Sequence, residues 1–210
     1  MKNNYGKFIT LEGCEGVGKT TQTQMLIEYC KAHNIDAVFT REPGGTPIAE
    51  KIRRVILDPD CAGMDNITEL LLYAASRRQH TQQLILPALQ KGKIVFCDRY
   101  TDSTLAYQGY ARGIDKHIVR QINAFSTDGV LVDYTIFLDV KPSEGFSRLE
   151  NRGYKDRLEL EGIEFHNKVY EGFKAIEKEN PARFISITAG GNAEQTHEAI
   201  IKGLKEKGVF

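Results

Sequence analysis

The sequence predicts an α/β fold built on a largely parallel sheet. Three observations predict it. Short apolar runs alternate with helical patterns from one end of the chain to the other. The first run, Phe8-Ile9-Thr10-Leu11, leads into Gly13-Cys14-Glu15-Gly16-Val17-Gly18-Lys19-Thr20, whose spacing is G-x-x-x-x-G-K-[ST], and a helical pattern begins directly after it. No repeat, low-complexity tract or Pro/Ser-rich linker divides the 210 residues, so the chain reads as a single domain over 1–210.

The glycine-rich stretch has a definite chemistry. Its glycines let the backbone curl into a cavity of amide N–H groups at a helix N-terminus, a ready anion site. Lys19 supplies a mobile positive charge for β- and γ-phosphates, and the Thr20 hydroxyl is placed to ligate Mg²⁺. Gly13, Cys14, Glu15, Gly16, Val17, Gly18, Lys19, Thr20 and Thr21 are therefore the residues expected to hold a nucleotide's phosphates.

In order, Phe8–Leu11 is the first strand, and 21–32 is a helix with Met25, Leu26, Tyr29 and Cys30 at helical spacing. Ala37–Thr40 is the second strand. Arg41-Glu42-Pro43-Gly44-Gly45-Thr46 follows as a turn at that strand's C-terminal end, facing the ligand crevice of an open sheet. Ile48–Leu57 is a helix carrying Arg53 and Arg54, and Asp58–Asn66 is a polar connection. A long helix runs from about Thr68 to Lys91, kinked or broken at Pro87. Tyr73 and Arg77 share one of its faces. Lys93–Cys97 is the third strand, with Asp98-Arg99-Tyr100 at its end. There Asp98 is placed to hold Mg²⁺ through water and Arg99 to grip a phosphate. Ser103–Gly109 reads as a short helix or turn, Asp115–Phe125 as a helix and Thr135–Asp139 as the fourth strand. Pro142–Glu150 is a helix that runs into a basic segment, Arg148, Arg152, Gly153, Lys155 and Arg157. So close behind a phosphate loop, this is a candidate lid at about 148–158. Leu158–Glu179, Phe184–Ile187 and Ala193–Lys207 complete the pattern as helix, strand and helix.

Bulk composition narrows the class. Apolar residues make up 41% and charged residues 27%, as in ordinary soluble globular chains. A formal net charge of zero argues against a nucleic-acid binder driven by bulk charge. Met1-Lys2-Asn3-Asn4-Tyr5 does not look like a signal peptide, and no apolar run approaches the roughly 18 residues of a membrane span. A cytoplasmic location without membrane contact is expected. Cys14, Cys30, Cys61 and Cys97 are scattered, which predicts reduced, inert thiols, and the histidines show no metal-ligand spacing.

Five ordered motifs then carry a resemblance that covers nearly the whole chain. They are Leu11-Glu12-Gly13 through Thr20-Thr21, Thr40-Arg41-Glu42-Pro43-Gly44-Gly45, Leu72-Tyr73-Ala74-Ala75-Ser76-Arg77-Arg78, Asp98-Arg99-Tyr100 through Ala106-Tyr107-Gln108-Gly109, and Phe165-His166-Asn167-Lys168-Val169. On these the chain resembles the bacterial thymidylate kinases. The resemblance implies the P-loop nucleoside monophosphate kinase fold, a five-stranded parallel sheet of order 2-3-1-4-5 flanked by helices. It also implies a homodimer that turns dTMP and ATP into dTDP and ADP with Mg²⁺, in dTTP biosynthesis.

Residue by residue, it implies that Lys19 and the loop amides hold the ATP phosphates. Glu15 lies near the dTMP sugar. Arg99, helped by Arg53, binds the dTMP phosphate. Glu42 lines that site with a cis bond to Pro43. Tyr73 stacks on the thymine ring, Arg77 and Gln108 hydrogen-bond its edge, and Tyr107 sits under the sugar, with Thr104 in the same pocket. Lys19, Arg99, Glu15 and Arg152 form the expected catalytic set, and Thr20 with Asp98 the metal set.

Two departures stand out. The usual stacking phenylalanine is Tyr73, whose hydroxyl needs a partner. Gly16 also follows Glu15 where one branch of the family has a catalytic arginine, which moves that role to the lid, first to Arg152 and in reserve to Arg148 or Arg157. Another nucleoside monophosphate or deoxynucleoside kinase is the alternative enzyme. A nucleotide-binding switch is the non-enzyme alternative. The switch would need Asn-Lys-x-Asp, whereas Asn167-Lys168 is followed by Val169-Tyr170.

Overall fold

Five parallel strands in the order β2-β3-β1-β4-β5 form the centre of the computed structural model, which describes residues 5–149, 156–188 and 192–210, the side chains of 146–149 excepted. The strands are β1 (Phe8–Glu12), β2 (Ala37–Arg41), β3 (Ile94–Asp98), β4 (Tyr134–Asp139) and β5 (Phe184–Thr188). The expected order is therefore observed. β1 is central and all five of its residues are buried, as a strand covered on both faces must be. Successive side chains leave it on opposite faces. Ile9 and Leu11 join the larger core with Leu26, Phe137 and Phe173, while Phe8 packs on the other side with Ile85, Leu89 and Tyr100.

The helices are α1 (Lys19–Ala32), α2 (Pro47–Leu57), α3 (Asn66–His80), α4 (Leu86–Gln90), α5 (Thr101–Thr104), α6 (Lys116–Thr127), α7 (Pro142–Leu149), α8 (Ile163–Glu179) and α9 (Ala193–Glu206). Among the described residues, no helix is long and apolar enough to cross a membrane.

Three stretches depart from the predicted elements, each for a local reason. The helix expected over 68–91 is α3, a π-helical turn at Thr81–Ile85, and α4. Pro87 lies in the first turn of α4, where its missing N–H costs least. The stretch expected as a short helix or turn over 103–109 is longer and helical throughout, α5 followed by seven π-helical residues, Leu105–Ala111. Finally, α8 starts at Ile163 rather than Leu158. The Asp156 carboxylate accepts from the N–H groups of Leu158 and Glu159, holding a separate turn ahead of Gly162.

Register decides where the chemistry sits. Leu11 lies opposite Asp98 on one side and Ile136 on the other. The Arg99 N–H donates to Leu11 O at 3.0 Å, and the Glu42 N–H to Asp98 O at 2.9 Å. The carboxyl ends of β1, β2 and β3 thus bring residues 12–20, 42 and 98–99 to one edge of the sheet, where open α/β sheets bind ligands.

Candidate active site

A cleft of about 1110 Å³ opens at that edge. It is lined by Gly16 to Thr21 on the loop side, by Arg53, Tyr73, Arg77, Thr104 and Gln108 on the other, and between them by Glu15, Arg99 and Tyr107, which contact one another, with Glu42 and Asp98 in the wall as well. The sequence-predicted residues that line it are thus brought together. Gly13 and Cys14 lie just behind the wall, Cys14 in the core.

At the loop end, Lys19 Nζ donates to the carbonyls of Gly13 at 3.1 Å and Cys14 at 2.6 Å. Burial, with the charge of Arg99 beside it, lowers its pKa, so an added anion would find an ammonium whose charge is undercompensated. Thr20 and Thr21, in the first turn of α1, are exposed to the cleft. Gly16 has φ 70, and a Cβ there would lie 2.2 Å from the Gly145 carbonyl in α7. A Cβ on Gly145 would come equally close to the Glu15 carbonyl, at 2.2 Å. The loop and α7 are therefore in backbone contact, which leaves no room for a side chain at position 16. Burial pushes the Cys14 thiol up to about 12, so it stays protonated and unreactive near neutral pH.

At the middle of the cleft Arg99 adopts φ 67, a left-handed conformation costing a non-glycine residue about 1–3 kcal/mol. Its guanidinium is held on three sides. Nη1 donates to Gly13 O at 2.9 Å and Ser103 Oγ at 3.2 Å, and Nη2 donates to Glu15 Oε1 at 2.7 Å. The Tyr107 hydroxyl donates to the same Glu15 oxygen at 2.9 Å, with the Arg99 guanidinium 5.3 Å from the Tyr107 ring centre. Burial alone would raise the Glu15 carboxyl, but Arg99, Lys19 and the Tyr107 hydroxyl outweigh it and bring it down to about 2. Asp98 Oδ1 is buried with no hydrogen-bond partner among the described residues.

The far end is a neutralised network. Arg77 is fully buried, and three of its nitrogens donate to Glu42 Oε2 at 2.7 Å, Asn123 Oδ1 at 2.7 Å and Thr104 Oγ1 at 2.8 Å. Two of its five N–H groups remain for the cleft. Glu42 also contacts His80 Nδ1 at 3.0 Å, and the Glu42–Pro43 bond is cis, as expected. Arg53 donates to Pro43 O at 2.7 Å. The Tyr73 hydroxyl makes no hydrogen bond among the described residues, and burial pushes its pKa up. Thr104 sits in the pocket as expected, held there by Arg77.

Of the three lid arginines, Arg157 is committed elsewhere. Its Nε donates to Ile56 O at 2.9 Å, and its Nη2 lies 2.5 Å from Glu69 Oε2. Arg152 lies outside the described residues. Arg148 is on α7, and its side chain is not among those described. Several residues escaped the sequence reading. Glu12 is fully buried and accepts from the Tyr100 N–H at 2.8 Å and Ser103 Oγ at 2.6 Å. A carboxylate ending an otherwise apolar strand was the available signal. Glu69 and Asn123 gave none, since each is one polar residue in a mixed helix.

Comparison with known proteins agrees with this geometry. The family described as thymidylate kinase matches residues 11–200. A thymidylate kinase of Enterococcus faecalis is 49% identical over 205 residues, covering 96% of this chain and 97% of its own. One from Clostridium novyi is 47% identical over 204 residues, covering 96% of this chain and all of its own. The crystal structure of a thymidylate kinase from Ehrlichia chaffeensis superposes with a TM-score of 0.78 at 38% identity, over 96% of this chain and 99% of that one.

Proposed function

The chain belongs to the thymidylate kinase family, whose reaction turns dTMP into dTDP, and we propose that the two ends of its cleft divide that reaction between them. The Gly16–Thr21 end takes the triphosphate of ATP. The end bounded by Arg99, Tyr73 and Gln108 takes dTMP. The observation that carries this reading is that both sets of groups line one continuous cleft with Arg99 between them.

The step is in-line attack by a dTMP phosphate oxygen on the γ-phosphorus. That oxygen is already anionic near neutral pH, so no strong general base is required, and the protein's work is positioning and charge neutralisation. Lys19 turns from its loop carbonyls to the transferring phosphoryl group. Arg99 receives the dTMP phosphate, helped by Arg53. Glu15 keeps its charge at any working pH and holds both Arg99 and Tyr107. Tyr73 stacks on thymine, while Arg77 and Gln108 read its edge. A lid arginine, Arg152 in the first place and Arg148 in reserve, stabilises the charge that spreads over the phosphoryl oxygens in the transition state.

The orphaned Asp98 oxygen and the exposed Thr20 hydroxyl fit a Mg²⁺ site of the kind that binds one or two protein oxygens and the substrate's phosphates. Bound there, Mg²⁺ would neutralise charge between the β- and γ-phosphates. A homodimer is supported by exposed apolar side chains on two packed helices, Ile67 and Leu71 of α3 and Ile118 and Phe125 of α6.

ADP release with Mg²⁺–ATP and each of the four common deoxynucleoside monophosphates tests this reading. dTMP is expected to be used best. dUMP should be weaker by the ~1–3 kcal/mol that a methyl group contributes in an apolar pocket, and dCMP should be worse by orders of magnitude. Turnover of dCMP as fast as dTMP would remove the base-reading roles of Arg77 and Gln108.

A further inference from the structure

Glu69 lies outside the cleft wall, yet it is fully buried and meets three side chains, Gln108 and Arg112 from one stretch and Arg157 from another. Its Oε1 accepts from Gln108 Nε2 at 2.8 Å and, more weakly, from Arg112 Nε at 3.3 Å. Its Oε2 faces two guanidinium groups, accepting from Arg112 Nη2 at 3.2 Å and lying 2.5 Å from Arg157 Nη2. Burial works against its charge, but the hydrogen bonds from Arg112 and Gln108 outweigh it and hold its carboxyl below the usual range. An ionised carboxylate can only accept hydrogen bonds. The Gln108 carboxamide therefore has no choice of orientation: its nitrogen must face Glu69, and its oxygen is left for the cleft that Gln108 lines.

We infer that Glu69 is a positioning residue for base selection, fixing the sense of the Gln108 amide so that an acceptor faces the nucleobase. This rests on the reading above, that Gln108 meets the base edge. An acceptor there pairs with the imide N3–H of thymine. Cytosine presents a bare ring nitrogen at that position, so two acceptors would oppose each other and a buried group would go unpaired. An amide left free to turn over would offer its NH₂ to cytosine instead. Glu69 removes that option. Arg157, near the end of the candidate lid segment, pairs with the same carboxylate and helps keep it ionised.

Glu69→Gln is the diagnostic substitution because its outcome is directional. The guanidinium nitrogens of Arg112 and Arg157 on the Oε2 side hold the new amide's oxygen there, which turns its NH₂ toward Gln108. Gln108 must then accept, rotate and point its own NH₂ into the cleft. The ratio of kcat/KM for dTMP to that for dCMP should fall by about tenfold or more, with the dTMP value dropping much further than the dCMP value. A merely structural role would lower both values in parallel, and that result, or an unchanged ratio, overturns the inference.

Gln108→Leu separates the two layers of the argument. If that change leaves the ratio intact, Gln108 does not read the base and the underlying scheme is wrong. If it collapses the ratio while Glu69→Gln does not, only the role of Glu69 is wrong. Should Glu69→Gln fail to fold, the native chain answers through hydrogen exchange of the Gln108 side-chain amide, assigned by its loss in Gln108→Leu. Protection of an Nε2 proton with and without dTMP supports the inference. Protection that arises only with dTMP overturns it.

Discussion

Glu12 shows how one buried side chain sets a property of the whole enzyme. It ends β1 beneath Arg99 and anchors the backbone of Tyr100 and the hydroxyl of Ser103. Burial, followed by the charge of Asp102, raises its carboxyl from 4.5 to about 7, against the hydrogen bonds it accepts and the pull of Arg99. Because the folded pKa is the higher one, the folded state binds more protons between these two values. Stability from this group therefore falls as pH rises from about 4.5 to about 7. Glu12→Gln keeps an acceptor for Tyr100 and abolishes the titration, so its melting temperature should vary less across that window than the native chain's. Thermal melts that run parallel for the two proteins would contradict the assignment.

Arg152 makes a kinetic prediction at the same scale. Arg152→Ala should lower kcat by about 10³, with a far smaller effect on KM for dTMP, because a transition-state contact is lost rather than a ground-state one. Steady-state kinetics with kcat within about twofold of native would take Arg152 out of the mechanism.

Among the elements, the contact between the phosphate loop and α7 carries the sharpest constraint. The Gly145 carbonyl excludes a Cβ on Gly16, and the Glu15 carbonyl excludes one on Gly145. The sequence showed only that an arginine was missing from the loop. The structure adds the reason: a neighbouring helix occupies the space such a side chain would need. Gly145→Ala should destabilise the fold by about 1–3 kcal/mol, the usual cost of overpacking, and should raise KM for ATP more than KM for dTMP. An unchanged melt and unchanged KM values would show that α7 can yield.

Other elements show where sequence reading stops. Apolar runs and their spacing located all five strands, most plainly the central β1, which is buried on both faces and has no other way to be written. Helix interruptions were less visible. The π-helical residues Leu105–Ala111 include Tyr107 and Gln108, both on the cleft, and π-helical turns are frequent at functional sites. Nothing in local propensity announces such a turn, since it is decided by what packs around it. The asparagine that holds Arg77 was hidden for the same reason: Asn123 matters only once α6 lies against α3.

For the whole molecule, motif order carried most of the site. Residues from 12–20, 41–45 and 98–108 meet because three strand ends share an edge, which the alternating pattern already required, and α3 brings 73–77 against them. The links between those residues, Glu15 to Arg99 and Tyr107 and Glu69 to Gln108, depend on tertiary distances that no spacing encodes. Assembly belongs to this scale too. Phe125 is 85% exposed, and with Ile118 it marks the α6 surface that a second copy is proposed to cover. Replacing both with glutamate should turn a dimer into a monomer by light scattering without altering the fold seen by circular dichroism. A native chain that is already monomeric at micromolar concentration would refute the dimer.

The central claim is that one cleft holds two anion pockets with Arg99 between them. A crystal structure of the chain with thymidine monophosphate tests it most directly. The base is predicted to lie against Tyr73 with its edge toward Arg77 and Gln108, and the phosphate to lie on Arg99. Thymidine monophosphate bound with its phosphate in the Gly13–Thr20 loop, or away from Tyr73 and Arg99 altogether, would contradict the account.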